Sequence, residues 1–386
     1  MLVQYILDLV YSIELIIITT YNNLMTENVY IHIPFCRRKC NYCSFVSFPT
    51  LDKKEQYLIA LKNEIQSKYK NENLKTLYFG GGTPSLLTVD EFKELISLFK
   101  TDRNTEITSE LNPENLTKEY LKNLKKCGIN RISMGCQTFN NDILEIIGRQ
   151  HTAQEVMNAV KSAQDIGFDN ISLDFIYGLP SQNIEDFEHD LTKAIQLGIK
   201  HISLYGLKID EGCHFYKHPP INLPDDETQA NMYLKAIEIL AKNGFTHYEI
   251  SNFCLSGYES KHNLNYWDNN SYYGFGVAAH GYLDGNRYSN PVTIEKYLEN
   301  PSTPQEIKHL TEQEMLEEEI FLGLRRMDGI NSSLINEKYN IDFDKKYKNI
   351  LNKYTASGHI AKTENGYKFT ANGILVSNYI LADFLD

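Results

Sequence analysis

The sequence predicts an α/β fold, a partial TIM-like (β/α)6 barrel followed by a small α+β unit shaped like a winged helix. Three observations predict it. Short β-branched or aromatic runs alternate with helical segments from Val29 to about residue 250, glycines stand at the helix-to-strand junctions, and the pattern changes beyond that point.

The six strands are VYIHI (29–33), TLYFG (76–80), TEITSEL (105–111), NRISMG (130–135), NISLDFIYG (170–178) and HISLYGL (201–207). Between them, residues 53–69, 89–99, 118–126, 153–166 and 184–197 repeat apolar side chains three and four apart, as amphipathic helices do. Gly128, Gly167 and Gly198 each follow a helix, where a residue tolerant of positive φ ends it at little cost. Six units predict a barrel open on one side, with function at the carboxyl ends of the strands.

From Ser251 to Asn290 the chain is rich in Asn, Tyr and Gly and shows no βα alternation, and NPSTPQE (300–306) reads as a linker. The tail predicts a helix over 312–325, two more helices, and two short strands around HIAKTENGYKFT (359–370), with Asn365-Gly366 as the hairpin turn. The chain thus divides into an appendage at 1–24, a barrel at 25–250, a covering segment and linker at 251–305, and a winged-helix-like domain at 306–386. Residues 1–24 are apolar but lack the basic start of a signal peptide, and Asp8 and Glu14 interrupt any membrane span. They read as an extension of the gene model, with Met25 as the natural start.

A net charge of −12 argues against a nucleic-acid partner, whose phosphates demand clustered Lys and Arg. The tail from 311 carries 9 basic and 12 acidic side chains, so its winged-helix shape predicts a packing or lid role. Seven cysteines, an odd number with three crowded into eight residues, fit a reducing cytoplasm better than a secreted disulfide framework.

Those three cysteines form Cys36-Arg-Arg-Lys-Cys40-Asn-Tyr-Cys43, directly after the first strand. Three thiolates from one loop can each take one iron of a [4Fe-4S] cubane, leaving the fourth iron without a protein ligand. An amino-acid amine and carboxylate can chelate that iron and bring a sulfonium within electron-transfer range. A closed zinc site, the basis of an alternative reading as a zinc-stabilised binding module, would need a fourth nearby ligand. The one candidate, His32, is expected to point along the strand away from the loop. Tyr42 either covers a cluster face or packs as an ordinary loop residue. Cys127, Cys136, Cys213 and Cys254 lack ligand spacing and read as inert thiols.

The second strand ends in Gly80-Gly81-Gly82-Thr83-Pro84, where backbone can approach a ligand closely. Later strands deliver Glu110, Gln137 and Asp174 at or near their carboxyl ends. A carboxylate on a doubly buried strand demands a partner, either structural or a ligand. Arg149 could bind a ligand carboxylate in two-pronged fashion or form a surface salt bridge.

Together YIHIPFCRRKCNYCSF, YFGGGTPSLL, SELNPENL, RISMGCQTFNNDILEIIGRQH, LDFIYGLPSQ and HYEISNF with HNLNYW resemble the radical-SAM proteins related to oxygen-independent coproporphyrinogen III oxidase. Within that group they are most similar to the HemW-type heme chaperones, because Phe45 stands where the oxidase has a further cysteine. The resemblance implies a radical-SAM barrel that holds S-adenosylmethionine on the cluster near Tyr30, Gly81, Gly82, Thr83 and Glu110. It implies that Gln137, Arg149 and Asp174 sit where the oxidase contacts a second such molecule. It also associates His262, in HNLNYW, with heme. An imidazole beside Tyr266 and Trp267 suits an axial ligand and a flat macrocycle, although a hydrogen-bonded loop histidine reads equally well, and His280 is a second candidate.

The implied function is a cytoplasmic heme chaperone that passes heme to an acceptor protein, in the membrane or the cytosol. Oxidative decarboxylation of porphyrinogen propionates is the alternative enzymatic reading, and that activity is not expected here.

Overall fold

The computed structural model describes residues 26–114 and 116–385, so the appendage at 1–24 lies outside the described residues. Six parallel strands run in order, β1 (Asn28–Ile33), β2 (Thr76–Gly81), β3 (Glu106–Leu111), β4 (Arg131–Gln137), β5 (Asn170–Tyr177) and β6 (His201–Gly206). Each pairs with its sequence neighbour, and intervening helices such as Lys54–Lys68, Lys118–Lys126 and Ala153–Ile166 cross over between them.

Local chemistry explains these boundaries. Thr88, Thr152 and Asn183 open their helices with reciprocal capping boxes. Gly128, Gly167 and Gly198 close theirs at φ values of 109°, 90° and 72°.

The sheet is larger than predicted, with nine strands. β7 (Thr246–Glu249) and β8 (Asn252–Cys254) add antiparallel beyond β6, and β9 (Tyr273–Phe275) adds parallel to β1. All three contain only three or four residues, too few to display a period. β7 and β9 form the two edges and do not pair, so the barrel is open.

Side chains alternate along every strand. Val29, Ile31, Leu77, Phe79, Ile132, Met134, Leu173, Phe175, Ile202 and Leu204 are buried in one continuous apolar core with the helices. The other face supplies a polar lumen of Tyr30, Tyr78, Glu110, Arg131, Asp174 and His201. Arg131 is fully buried there, with its Nη2 3.4 Å from His201 Nδ1.

Beyond the barrel, β10 (His280–Leu283), β11 (Asn286–Ser289) and β12 (Glu306–His309) form an antiparallel sheet, so the expected linker runs into a strand. A third sheet joins β13 (Ile330–Asn331), β14 (Ile360–Lys362) and β15 (Gly366–Phe369), with helices at Ser332–Tyr339 and Lys348–Ala356. Asn365-Gly366 is not a two-residue hairpin turn. Gly366 is already in β15, where a Cβ would lie 2.0 Å from the Ile330 carbonyl, so glycine is there to let β13 approach. Among the described residues no helix is long and apolar enough to cross a membrane.

Candidate cluster and cofactor site

The cysteine loop leaves β1 and is tied down by backbone. Cys36 N donates to Phe48 O at 3.0 Å, Cys43 N to Cys40 O at 3.2 Å, and Asn41 N to Ile147 O at 3.0 Å. Gly82, at the end of β2, passes beneath it, and a Cβ there would stand 2.6 Å from the Phe35 carbonyl. The loop therefore sits where it does because β2 ends in glycine.

All three thiols are free and partly exposed. Thr83 Oγ1 lies 3.5 Å from Cys36 Sγ and Arg149 Nη1 lies 3.4 Å from Cys40 Sγ, donors that suit thiolate sulfur. Burial pushes the Cys43 thiol up, and the neighbouring sulfurs add to it. Among the described residues no three His, Cys, Asp or Glu side chains converge on a point that one ion could fill. A cubane instead takes its thiolates on three separate irons, so this donor set fits a cluster better than a closed zinc site.

His32 does not point away from the loop as expected. Its Nε2 meets Val46 O at 2.9 Å and its Nδ1 meets Tyr30 Oη at 3.0 Å, so the imidazole braces the loop and both nitrogens are engaged.

Above the lumen the strand ends enclose a cavity of about 520 Å³. It is lined by the three cysteines together with Gly81, Gly82, Thr83, Glu110, Gln137, Arg149 and Asp174. Tyr30 and His262 are outside this lining.

Glu110 accepts from Tyr78 Oη at 2.9 Å and from Gly81 N at 3.1 Å. Burial raises its carboxyl to about 7, a rise only partly opposed by the Tyr78 hydrogen bond. Asp174 accepts from Ser133 Oγ at 3.0 Å and from Ser172 Oγ at 3.3 Å, and burial raises it too. Gln137 follows a β-bulge and holds φ at 61°, a left-handed conformation that glutamine rarely adopts. Its buried Oε1 has no hydrogen-bond partner. A buried acceptor without a partner, on a backbone that glutamine rarely adopts, is a cost that the fold alone does not explain.

Arg149 is no surface salt bridge. Besides Cys40 it holds Asn112 Oδ1 at 3.0 Å, and Asn112 in turn reaches Thr83 Oγ1 at 3.2 Å. Asn112 and the lumen residues Tyr78 and Arg131 were not singled out from sequence. Arg131 had a readable signal, a charge opening an otherwise apolar strand, whereas Asn112 had none beyond its place at the end of β3.

Tyr30 lies one layer below the cavity, stacked on Tyr78 with ring centroids 6.0 Å apart. His262 lies lower still, at the amino end of β2. Its Nδ1 meets Thr76 Oγ1 at 2.7 Å and its Nε2 meets Tyr266 Oη at 2.8 Å. The ring is 1% exposed and burial lowers it to about 3. Both ring nitrogens therefore meet protein partners, the arrangement of a hydrogen-bonded histidine, which is one of the two readings the sequence allows for this residue. His280 is exposed on β10, and Phe45 is 68% exposed on the cavity rim. Of the four other cysteines, Cys136, Cys213 and Cys254 are buried and Cys127 partly so.

Two family models match the chain, the radical SAM superfamily over residues 30–194 and the HemN C-terminal domain over residues 310–376. The heme chaperone HemW of Bacillus subtilis is 37% identical over 375 residues, which span 93% of this chain and 99% of that one. The Lactococcus lactis HemW is also 37% identical, over 93% of this chain and 97% of its own. Coproporphyrinogen III oxidase (HemN) from Escherichia coli shares the fold with a TM-score of 0.83, at 22% identity, over 94% of this chain and 90% of that one. On the strength of its near full-length relatives, the chain belongs to the HemW heme chaperone family of radical-SAM proteins.

Proposed function

We propose that this protein is a cytoplasmic heme chaperone that carries a [4Fe-4S] cluster and S-adenosylmethionine and hands heme to an acceptor protein. The observation that carries the reading is the single cavity that joins the three thiols to Gly81, Thr83, Glu110, Gln137, Arg149 and Asp174. Cys36, Cys40 and Cys43 would hold the cluster, which when bound can supply one electron to a sulfonium.

The protein's own groups do the positioning. Thr83 and Arg149 direct donors at two of the sulfurs, and the Gly81–Gly82 backbone lines the same cavity. Glu110, poised near neutrality, can bind that amine or hold a proton beside it. Gln137 Oε1 offers an acceptor to a second polar group.

Heme titration of anaerobically reconstituted protein, with and without Cys40→Ala, tests the reading. The intact protein is expected to carry iron and sulfide near about four per chain, to bind heme, and to transfer it. Cys40→Ala is expected to lose the cluster and with it transfer. Undiminished transfer without the cluster, or vinyl product formed from coproporphyrinogen at catalytic rates, would overturn it.

A further inference from the structure

Asp190 belongs to the helix Ile184–Gln196, in the layer behind the sheet, yet it is only 1% exposed. A carboxyl taken out of water is costly unless it meets a donor that needs it. The donor here is backbone from another segment, since Phe139 N donates to Asp190 Oδ1 at 2.7 Å across 51 residues of chain. That length is typical of a charge-assisted bond.

Phe139 stands just past the end of β4. The register of β4 on β5 slips between Gly135 and Gln137, and Thr138 N donates back to Cys136 O at 2.8 Å. Gln137, in the middle, holds φ at 61°. A bond that spans only three residues closes a γ-turn, and the form with positive φ is rare and strained. Without support, such a turn would relax towards the negative φ that glutamine favours.

The turn is held from both sides. Towards the cavity, Arg149 Nη2 donates to Gly135 O at 3.4 Å, and His151 Nε2 lies 3.3 Å from Cys136 O. Behind, Asp190 takes Phe139 N. Asn140 N then donates to Thr138 Oγ1 at 3.0 Å, and the Asn140 side chain caps the helix Asn141–Ile146. Arg149 and His151 follow the turn in its own βα unit, whereas Asp190 is an anchor from the next unit.

We infer that Asp190 is a positioning residue for the cofactor cavity: by fixing Phe139 it keeps Gln137 left-handed and its unpaired Oε1 in the cavity wall. Asp190 itself is outside that wall and touches no ligand there. The inference rests on the reading of the cavity as an S-adenosylmethionine site.

Full-length protein, reconstituted anaerobically and matched for iron content, tests it with two substitutions of similar size. Asp190→Asn keeps an oxygen that can accept from Phe139 N, and Asp190→Leu keeps the volume without the acceptor. In equilibrium dialysis, S-adenosylmethionine should bind within about twofold of wild type in Asp190→Asn and about tenfold more weakly in Asp190→Leu, the factor that one good hydrogen bond is worth. In a Gln137→Gly background there is no oxygen to place, so Asp190→Leu should weaken binding no further. Amide hydrogen exchange over residues 138–140 of the ligand-free protein should quicken in Asp190→Leu and not in Asp190→Asn. If the leucine variant does not fold, Asp190→Ala carries the same expectations. Wild-type affinity in Asp190→Leu, equal losses in the two single variants, or additive losses in the double variant would overturn the inference. Wild-type protein that holds its cluster yet binds no S-adenosylmethionine would overturn the reading of the cavity instead.

Discussion

Gln137 combines a costly backbone with an unsatisfied buried oxygen, and the ligand-free protein gains nothing visible from either. Glycine would relieve a left-handed conformation worth about 1–2 kcal/mol. Gln137→Gly is therefore expected to unfold at an equal or higher denaturant concentration, yet to retain S-adenosylmethionine about tenfold less well, as the loss of one good hydrogen bond implies. A variant that is less stable but binds normally would show that the glutamine is structural. His262 is the converse. It bridges Thr76 and Tyr266 and stacks on Tyr78 with centroids 4.8 Å apart, so His262→Ala should cost about 2–4 kcal/mol of stability. A urea midpoint equal to wild type's would show that the ring's packing and its two hydrogen bonds contribute nothing net.

At the scale of elements, the cysteine loop depends on how β2 ends. Gly82→Ala places a methyl within contact of the Phe35 carbonyl, and overpacking of this kind costs about 1–3 kcal/mol. The backbone most able to yield is the loop itself, so iron incorporation on reconstitution should fall while the far-ultraviolet spectrum of the barrel persists. Full iron loading in that variant would show that the loop is not indexed by β2. The βα units were legible because each writes its own period and its own caps. The helices Lys118–Lys126 and Ala153–Ile166 fall where apolar spacing and Gly128 or Gly167 put them, and the six parallel strands fall within two residues of the runs that announce them. β7, β8 and β9 were not legible, because three or four residues pair by tertiary context and not by pattern. The cavity residues were legible by type and place, but the hydrogen-bond partners of His32 and His262 were not. Which way an imidazole turns, and what it meets there, is decided by groups from other segments, such as the Val46 carbonyl and the Thr76 hydroxyl.

The whole molecule places two opposed sets of titrating groups inside one fold. His32 and His247 are lowered to about 4, His262 to about 3, and His201 well below its ordinary value, all chiefly by burial. Such groups stay neutral when folded, so their contribution is present above about pH 6.5 and is lost as pH falls towards their folded values. Glu110, Glu249 and Asp190 are raised to about 7, and Asp174 is raised as well, again chiefly by burial. Their contribution is full below about pH 4 and is lost as pH rises towards 7. Between about pH 4.5 and 6.5 the unfolded chain binds up to four more protons at the histidines. The folded chain binds up to three more at Glu110, Glu249 and Asp190, with Asp174 acting in the same direction, and the two sets oppose each other. Stability should therefore be nearly flat across that window. Below about pH 4 the carboxyls become protonated in the unfolded chain as well, and His32 and His247 in the folded one, so only His262 and His201 go on reducing stability, by about 1.4 kcal/mol per proton per pH unit. Urea midpoints measured from pH 3.5 to 7.5 should show a plateau and then a decline at its acid end. Glu110→Gln should remove one opposing proton, so that stability within the former plateau rises with pH. A wild-type profile that climbs steadily from pH 4.5 to 6.5 would mean that these buried carboxyls are ionised in the folded protein.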